Sequence, residues 1–118
     1  MASNKSRGTA KENKVVELLR ADGWIATRTP ASLGTMDIIA LKLGEIPRFI
    51  QVKGTRKPFS GFSPFERYDL LRDAQQAGAR AELAWIPFGS GMPTYIPPED
   101  WPDTIQPKTV DEILDREG

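Results

Sequence analysis

Four polar residues have the types needed for chemistry at a phosphodiester: Glu12, Asp37, Gln51 and Lys53. Carboxylate and amide oxygens suit Mg²⁺, which needs only one or two carboxylates when it also binds water and a substrate phosphate. Such an ion would activate the attacking water, and a lysine would stabilise charge that develops on the phosphate. Together the four residues are sufficient for phosphodiester hydrolysis without histidine.

The composition excludes most other hydrolytic chemistry, because the 118-residue chain contains no Cys and no His. Disulfides, zinc thiolate sites, thiol nucleophiles, Ser-His-Asp triads and histidine bases are therefore ruled out. No apolar run approaches membrane-spanning length, and the polar start lacks the apolar core of a signal peptide. We therefore expect a cytoplasmic protein that does not associate with membranes.

Each of the four residues also has a simpler structural explanation. Glu12 shares a helical face with Val15, Val16 and Leu19, where a salt bridge or a contact with the helix dipole would account for it. Asp37 follows a glycine-containing loop and begins a β-rich run, a common place for a turn or cap residue. Gln51 and Lys53 lie two apart on one strand face, which is equally typical of an exposed edge. The combination favours the metal site more than any residue does alone.

The elements that must position these residues follow the order helix, three strands, helix, two strands. Ser63 and Glu66 predict a capping box at the second helix, Pro64 suits its first turn, and Gly78 ends it. This order predicts an α+β or mixed α/β domain with one central sheet. The predicted elements are a helix at 9–22 capped by Thr9, strands at 24–29, 37–43 and 48–53, the helix after Ser63, strands at 82–88 and 93–96, and a short helix at 109–117.

Charge is divided unevenly along the chain although the net charge is zero. Residues 1–80 carry fourteen Lys/Arg and eight Asp/Glu, a charge of +6, whereas residues 81–118 carry two and eight, a charge of −6. The first part could bind a polyanion, although a soluble protein with an acidic tail explains the split equally well. We predict a flexible basic start at 1–8, a single domain at 9–97, and an acidic, proline-containing tail at 98–118.

Three stretches resemble the archaeal-type Holliday-junction resolvases of the PD-(D/E)XK nuclease superfamily. They are residues 8–12 (GTAKE), 30–40 (PASLGTMDIIA) and 49–57 (FIQVKGTRK), and the resemblance extends over roughly residues 7–97. It implies an α/β, restriction-endonuclease-like fold with a central mixed five-stranded sheet flanked by helices in the order α-β-β-β-α-β-β. It also implies a homodimer that cuts four-way DNA junctions with Mg²⁺, for which Mn²⁺ can substitute.

The same resemblance assigns residue roles. Glu12, Asp37 and Gln51 would occupy the acidic positions, Lys53 would be the catalytic lysine, and the Val52 carbonyl would be a further metal ligand. Ser32 would match a loop serine near the scissile phosphate. Candidate DNA contacts are Lys5, Arg7, Lys11, Arg28, Arg56, Lys57 and Arg67, while Phe59 and Phe62 could form a wedge or a dimer contact and Phe65 is expected to pack under the second helix.

The chain departs from the family pattern at two positions. Met36 stands where the family has proline, and Gln51 stands where the family has the glutamate of its E-x-K motif. A glutamine provides an oxygen without a charge, so metal affinity should be lower than with glutamate. Two alternatives therefore stay open: a related nuclease for flaps, ends, restriction or transposition, and a non-catalytic DNA-binding module derived from the same fold.

Overall fold

The computed structural model describes residues 4–30 and 35–102, with side chains from residue 8 onward. Within these ranges, two α-helices and five strands occur in the predicted order, and no helix is long and apolar enough to cross a membrane. The elements are α1 (Asn4–Ala21), β1 (Ile25–Arg28), β2 (Ile38–Leu41), β3 (Arg48–Lys53), α2 (Pro64–Ala77), β4 (Arg80–Trp85), β5 (Thr94–Ile96) and a 3-10 turn (Pro98–Asp100).

The strands form one mixed sheet in the order β1-β2-β3-β4-β5. β3 and β4 are parallel, and the other three neighbouring pairs are antiparallel. A parallel pair requires a crossover connection, which α2 provides between the two strands. The predicted mixed five-stranded sheet is therefore confirmed, and β3 is its central strand.

The helices cover opposite faces of the sheet, so the molecule has two apolar clusters. Val15, Val16 and Leu19 of α1 pack with Ile50 of β3, and Val52 packs against the same cluster. Leu70, Leu71 and Ala74 of α2 form the other cluster, against which Phe49 packs. Because side chains alternate along a strand, Gln51 and Lys53 share the α2 face of β3 with Phe49.

The ends of α2 follow from local sequence signals. The Ser63 hydroxyl accepts a hydrogen bond from the Glu66 amide, and a Glu66 carboxylate oxygen accepts one from the Ser63 amide, both at 3.2 Å. Gly78 ends the helix in the left-handed conformation with φ 68°, which glycine adopts without steric cost. The predicted capping box and helix stop are both confirmed.

Several predicted boundaries differ from the structure. α1 begins at Asn4, so residues 4–8, predicted to be flexible, are helical, and Thr9 lies inside the helix instead of capping it. β4 spans Arg80–Trp85 and not residues 82–88, because it pairs along its whole length with β3. The predicted helix at 109–117 lies outside the described residues.

The domain also extends beyond the predicted limit at residue 97. Trp101 is buried, its ring meets the Phe62 ring edge-on at 5.2 Å, and its indole N–H donates to the Ile96 carbonyl at 3.0 Å. A large aromatic side chain contributes substantial apolar burial, so the segment after β5 belongs to the core of the domain.

Candidate active site

Asp37 is held rigidly at the end of the sheet, one residue before β2. Its amide donates to the Ile50 carbonyl at 2.8 Å, and its carbonyl accepts from the Thr29 amide at 2.9 Å. Its Oδ2 accepts a hydrogen bond from the Val52 amide at 2.8 Å. The carboxylate is therefore fixed against β3 at Val52, the residue between Gln51 and Lys53 in the chain.

The electrostatic surroundings of Asp37 disfavour its ionised form. Burial raises the pKa of Asp37 from 3.8 to about 6, and the negative charges of Glu12 and Glu66 act in the same direction. The Val52 amide and the Lys53 ammonium oppose this increase in pKa. Since charges interact strongly only at short range in water, Glu12, Lys53 and Glu66 all lie near the Asp37 carboxylate.

Two neighbouring clefts open beside the end of β3. One, of about 260 Å³, is lined by Thr35, Asp37, Gln51, Glu66 and Asp69. The other, of about 420 Å³, contains Glu12, Val52 and Lys53 in its lining, together with Gly8, Lys11, Gly54, Thr55, Gly61 and Phe88. Because residues 51–53 are consecutive, the two clefts adjoin, and the four residues proposed from the sequence gather at one end of the sheet.

Glu12 is only partly buried on α1, whereas Val15, Val16 and Leu19 on the same helix are buried. Its Oε1 accepts a hydrogen bond from Arg28 Nε at 3.2 Å, and Arg28 Nη2 donates to the Thr9 hydroxyl at 3.4 Å. The Glu12 side chain remains 22% exposed. The salt bridge considered as the simpler explanation is therefore present, yet Glu12 still lines the same cleft as Lys53.

Glu66 is the residue at this site that the sequence did not indicate. Its Oε2 lies 3.2 Å from the Lys53 ammonium, and it lines the cleft that contains Asp37 and Gln51. In the sequence, the capping box with Ser63 is by itself a sufficient explanation for Glu66. The signal in the sequence was Gln51. A neutral residue at a position where the family has glutamate predicts that another element provides the missing carboxylate.

The remaining predicted residues differ in how the structure places them. Ser32 lies outside the described residues, as does the side chain of Arg7. Arg56 and Lys57 are exposed on the loop after β3. Trp85 fixes the start of that loop, since its indole N–H donates to the Thr55 carbonyl at 2.9 Å.

Two predictions near this loop are wrong. Arg67 is only 4% exposed and donates to the Phe62 carbonyl, so it supports the chain before α2 and is too buried for the expected phosphate contact. Phe65 is 82% exposed and does not pack under α2. The reason is helical geometry: Arg67, Leu70 and Leu71 occupy the inward face, which leaves Phe65 pointing outward.

The donor set fits a hard divalent cation. In residues 4–30 and 35–102, no group of three or more acidic side chains is close enough to hold a metal unaided. Mg²⁺ does not require one, since it binds through one or two carboxylates and keeps water and phosphate as its other ligands. Asp37, a partly buried carboxylate that also experiences the negative charges of Glu12 and Glu66, is well matched to such an ion.

A mixed sheet that presents carboxylates, an amide and a lysine at the end of one strand defines a nuclease of the restriction-endonuclease-like class. A family model described as archaeal Holliday junction resolvase (Hjc) matches residues 3–103. The chain belongs to the archaeal Holliday junction resolvase family. The nuclease class and the resolvase function predicted from the sequence are thereby confirmed, and this nuclease family generally depends on a divalent metal.

A solved structure supports the same assignment. The chain is similar to Hjc of Archaeoglobus fulgidus, a Holliday junction resolvase from an archaeal hyperthermophile, with a TM-score of 0.71 and 25% identity. The match covers 86% of this chain and 80% of that chain. A comparison with curated protein sequences gives no match.

The raised pKa of Asp37 makes a prediction about stability. The Asp37 carboxyl group binds its proton more tightly in the folded state than in the unfolded state. The stability that this protonation contributes is complete below about pH 4 and is lost as pH rises through about 6. The difference from 3.8 corresponds to up to about 3 kcal/mol at neutral pH without metal. Asp37→Asn, which keeps an acceptor for the Val52 amide, should therefore melt at a higher temperature than wild type at pH 7.5 in EDTA.

Thermal melts at pH 7.5 and pH 4 test this expectation. The gain should disappear at pH 4, where wild-type Asp37 is itself neutral. Asp69→Asn is the matched control, because Asp69 lines the same cleft but pairs with Arg72 near the surface. A melting temperature for Asp37→Asn at or below that of wild type at pH 7.5 would contradict the prediction.

Proposed function

We propose that the chain is a Mg²⁺-dependent homodimeric endonuclease that cuts four-way DNA junctions. Its active site lies at the end of β3. The single observation that supports this proposal is the fixed position of Asp37. Its carboxylate accepts a hydrogen bond from the backbone amide of Val52, the residue between Gln51 and Lys53 in the chain. A rigid carboxylate beside a lysine on a central strand is suited to phosphodiester hydrolysis, because preorganised charges contribute most of the catalysis in such sites.

In this proposal Asp37, the Val52 carbonyl and the Gln51 amide oxygen would hold the cation, with Glu12 beside them. A bound divalent cation supplies Lewis-acid neutralisation of charge on the phosphate. Lys53 would stabilise the negative charge that develops on the scissile phosphate, and Ser32 would match the loop serine that the family resemblance assigns to that phosphate. Mn²⁺ should replace Mg²⁺, since both ions accept oxygen ligands.

DNA would be held by basic residues on both sides of the site: Arg7, Arg28, Arg56 and Lys57. Phosphate contacts from such side chains position the substrate without reading its sequence. A two-fold symmetric dimer presents two equivalent sites, which suits a junction with matched arms. We place this activity in the cytoplasm, associated with DNA.

Cleavage of labelled four-way junctions by the purified chain tests the proposal. We expect cutting with Mg²⁺ or Mn²⁺, none with EDTA, and little cutting of linear duplex of the same sequence. Preferential cutting of flaps would instead select a repair nuclease. Junction binding without cutting in either metal would overturn the proposal and indicate a non-catalytic module, the alternative that Gln51 favours.

A further inference from the structure

We propose that Glu66, in the first turn of α2, supplies to the metal site the second carboxylate that Gln51 cannot. The inference rests on the proposed function, since it concerns the same site. Gln51 and Glu66 line one cleft together with Asp37. A carboxylate missing from the central strand is thus present on the helix that covers the same face of the sheet.

The topology explains why a helix residue reaches this position. Gln51 and Lys53 project from β3 toward the layer formed by α2, and α2 begins beside the end of that strand. The Glu66 side chain of α2 reaches the Lys53 side chain of β3, with 3.2 Å between Glu66 Oε2 and Lys53 Nζ. The two residues are 13 positions apart in the chain, and the loop between β3 and α2 connects them.

The capping box orients the Glu66 carboxylate. One oxygen, Oε1, accepts from the Ser63 amide, and the other, Oε2, faces Lys53. The side chain is 43% exposed, so a hydrated ion can reach it. A carboxylate fixed through one oxygen and accessible through the other can act as a ligand with little loss of side-chain entropy.

Charge supports the same assignment. Gln51 is neutral, and Glu12 pairs with Arg28, which lies outside the four residues proposed from the sequence. Glu66 instead pairs with Lys53, a residue of the site itself, so its charge stays within the site. Mg²⁺ binds through one or two carboxylates plus phosphate. With Glu66 included, the site again has two carboxylates and one lysine, the charge that Glu in place of Gln51 would have produced.

Titration with Mn²⁺, followed by calorimetry, tests the inference without depending on cleavage. Glu66→Gln retains an acceptor for the Ser63 amide, as capping boxes permit, so α2 should keep its start. We expect this variant to bind Mn²⁺ about 10- to 100-fold more weakly than wild type, the loss typical when a metal site loses a supporting group. The control Glu45→Gln removes an exposed carboxylate in the turn before β3, at the opposite end of that strand, and should bind within about 3-fold of wild type.

A double variant that moves the carboxylate from residue 66 to residue 51 tests whether the metal site needs a carboxylate in this cleft. Adding Gln51→Glu to Glu66→Gln moves the carboxylate to the strand and should restore most of the Mn²⁺ affinity. Wild-type affinity in Glu66→Gln alone, or no recovery in the double variant, would overturn the inference even if wild type cuts junctions. Weakened binding with recovery would support it even if wild type cut no junction, so the two proposals fail separately.

Discussion

Replacing Lys53 with methionine should lower the rate of junction cleavage by at least about 100-fold at saturating Mg²⁺, the size of effect seen when one preorganised charge-stabilising donor is removed. Methionine has a similar length and volume, so the chain should fold. Lys53 Nζ lies 3.2 Å from Glu66 Oε2, and its positive charge acts on Asp37. Its loss removes the positive charge at the reacting phosphate.

Single-turnover cleavage of labelled junctions measures this rate, and junction affinity in EDTA serves as the control. Binding should change far less than cleavage, because we propose that the exposed loop residues Arg56 and Lys57, and not Lys53, hold the DNA phosphates. Arg56→Ala offers the reverse pattern, with weaker binding and an unchanged rate once bound. Cleavage by Lys53→Met within about 3-fold of wild type would remove Lys53 from the mechanism.

The second large effect concerns stability and a buried ion pair away from the site. Replacing Glu82 with alanine should reduce the free energy of unfolding by about 3 kcal/mol or more, since removing one partner leaves a buried charge uncompensated. Arg48 donates to both carboxylate oxygens of Glu82, and their side chains are only 16% and 8% exposed. The guanidinium also lies 4.9 Å from the ring centroids of Trp24 and Tyr95.

Urea unfolding of matched variants checks this second prediction. Asp69→Ala breaks the exposed pair between Asp69 and Arg72 and should cost less than about 1 kcal/mol. The double variant Arg48→Met, Glu82→Leu should recover much of the loss, because an apolar pair needs no compensating charge. A loss below about 1 kcal/mol for Glu82→Ala would show that the pair contributes little.

Local signals in the sequence were sufficient to predict much of the fold. Ser63 and Glu66 predicted the start of α2 and Gly78 its end, since capping groups and left-handed glycines act over three or four residues. The alternation in residues 48–53 predicted β3 and placed Gln51 and Lys53 on one face. The types and order of Glu12, Asp37, Gln51 and Lys53 indicated metal-dependent hydrolysis of a phosphodiester.

Other features depended on contacts between residues far apart in the chain. The pairing of Glu12 with Arg28, the burial of Trp101 and the outward position of Phe65 each follow from how the elements pack.

By itself, then, the sequence determined the class of chemistry, the family and the local starts and stops of helices, because residue type and short spacing carry that information. Only the tertiary structure decided that Glu66 lies beside Lys53 and shares a cleft with Asp37 and Gln51. The physical reason is that α2 crosses over between two parallel strands, and the place where a crossover helix begins above a sheet depends on the packing of the whole domain.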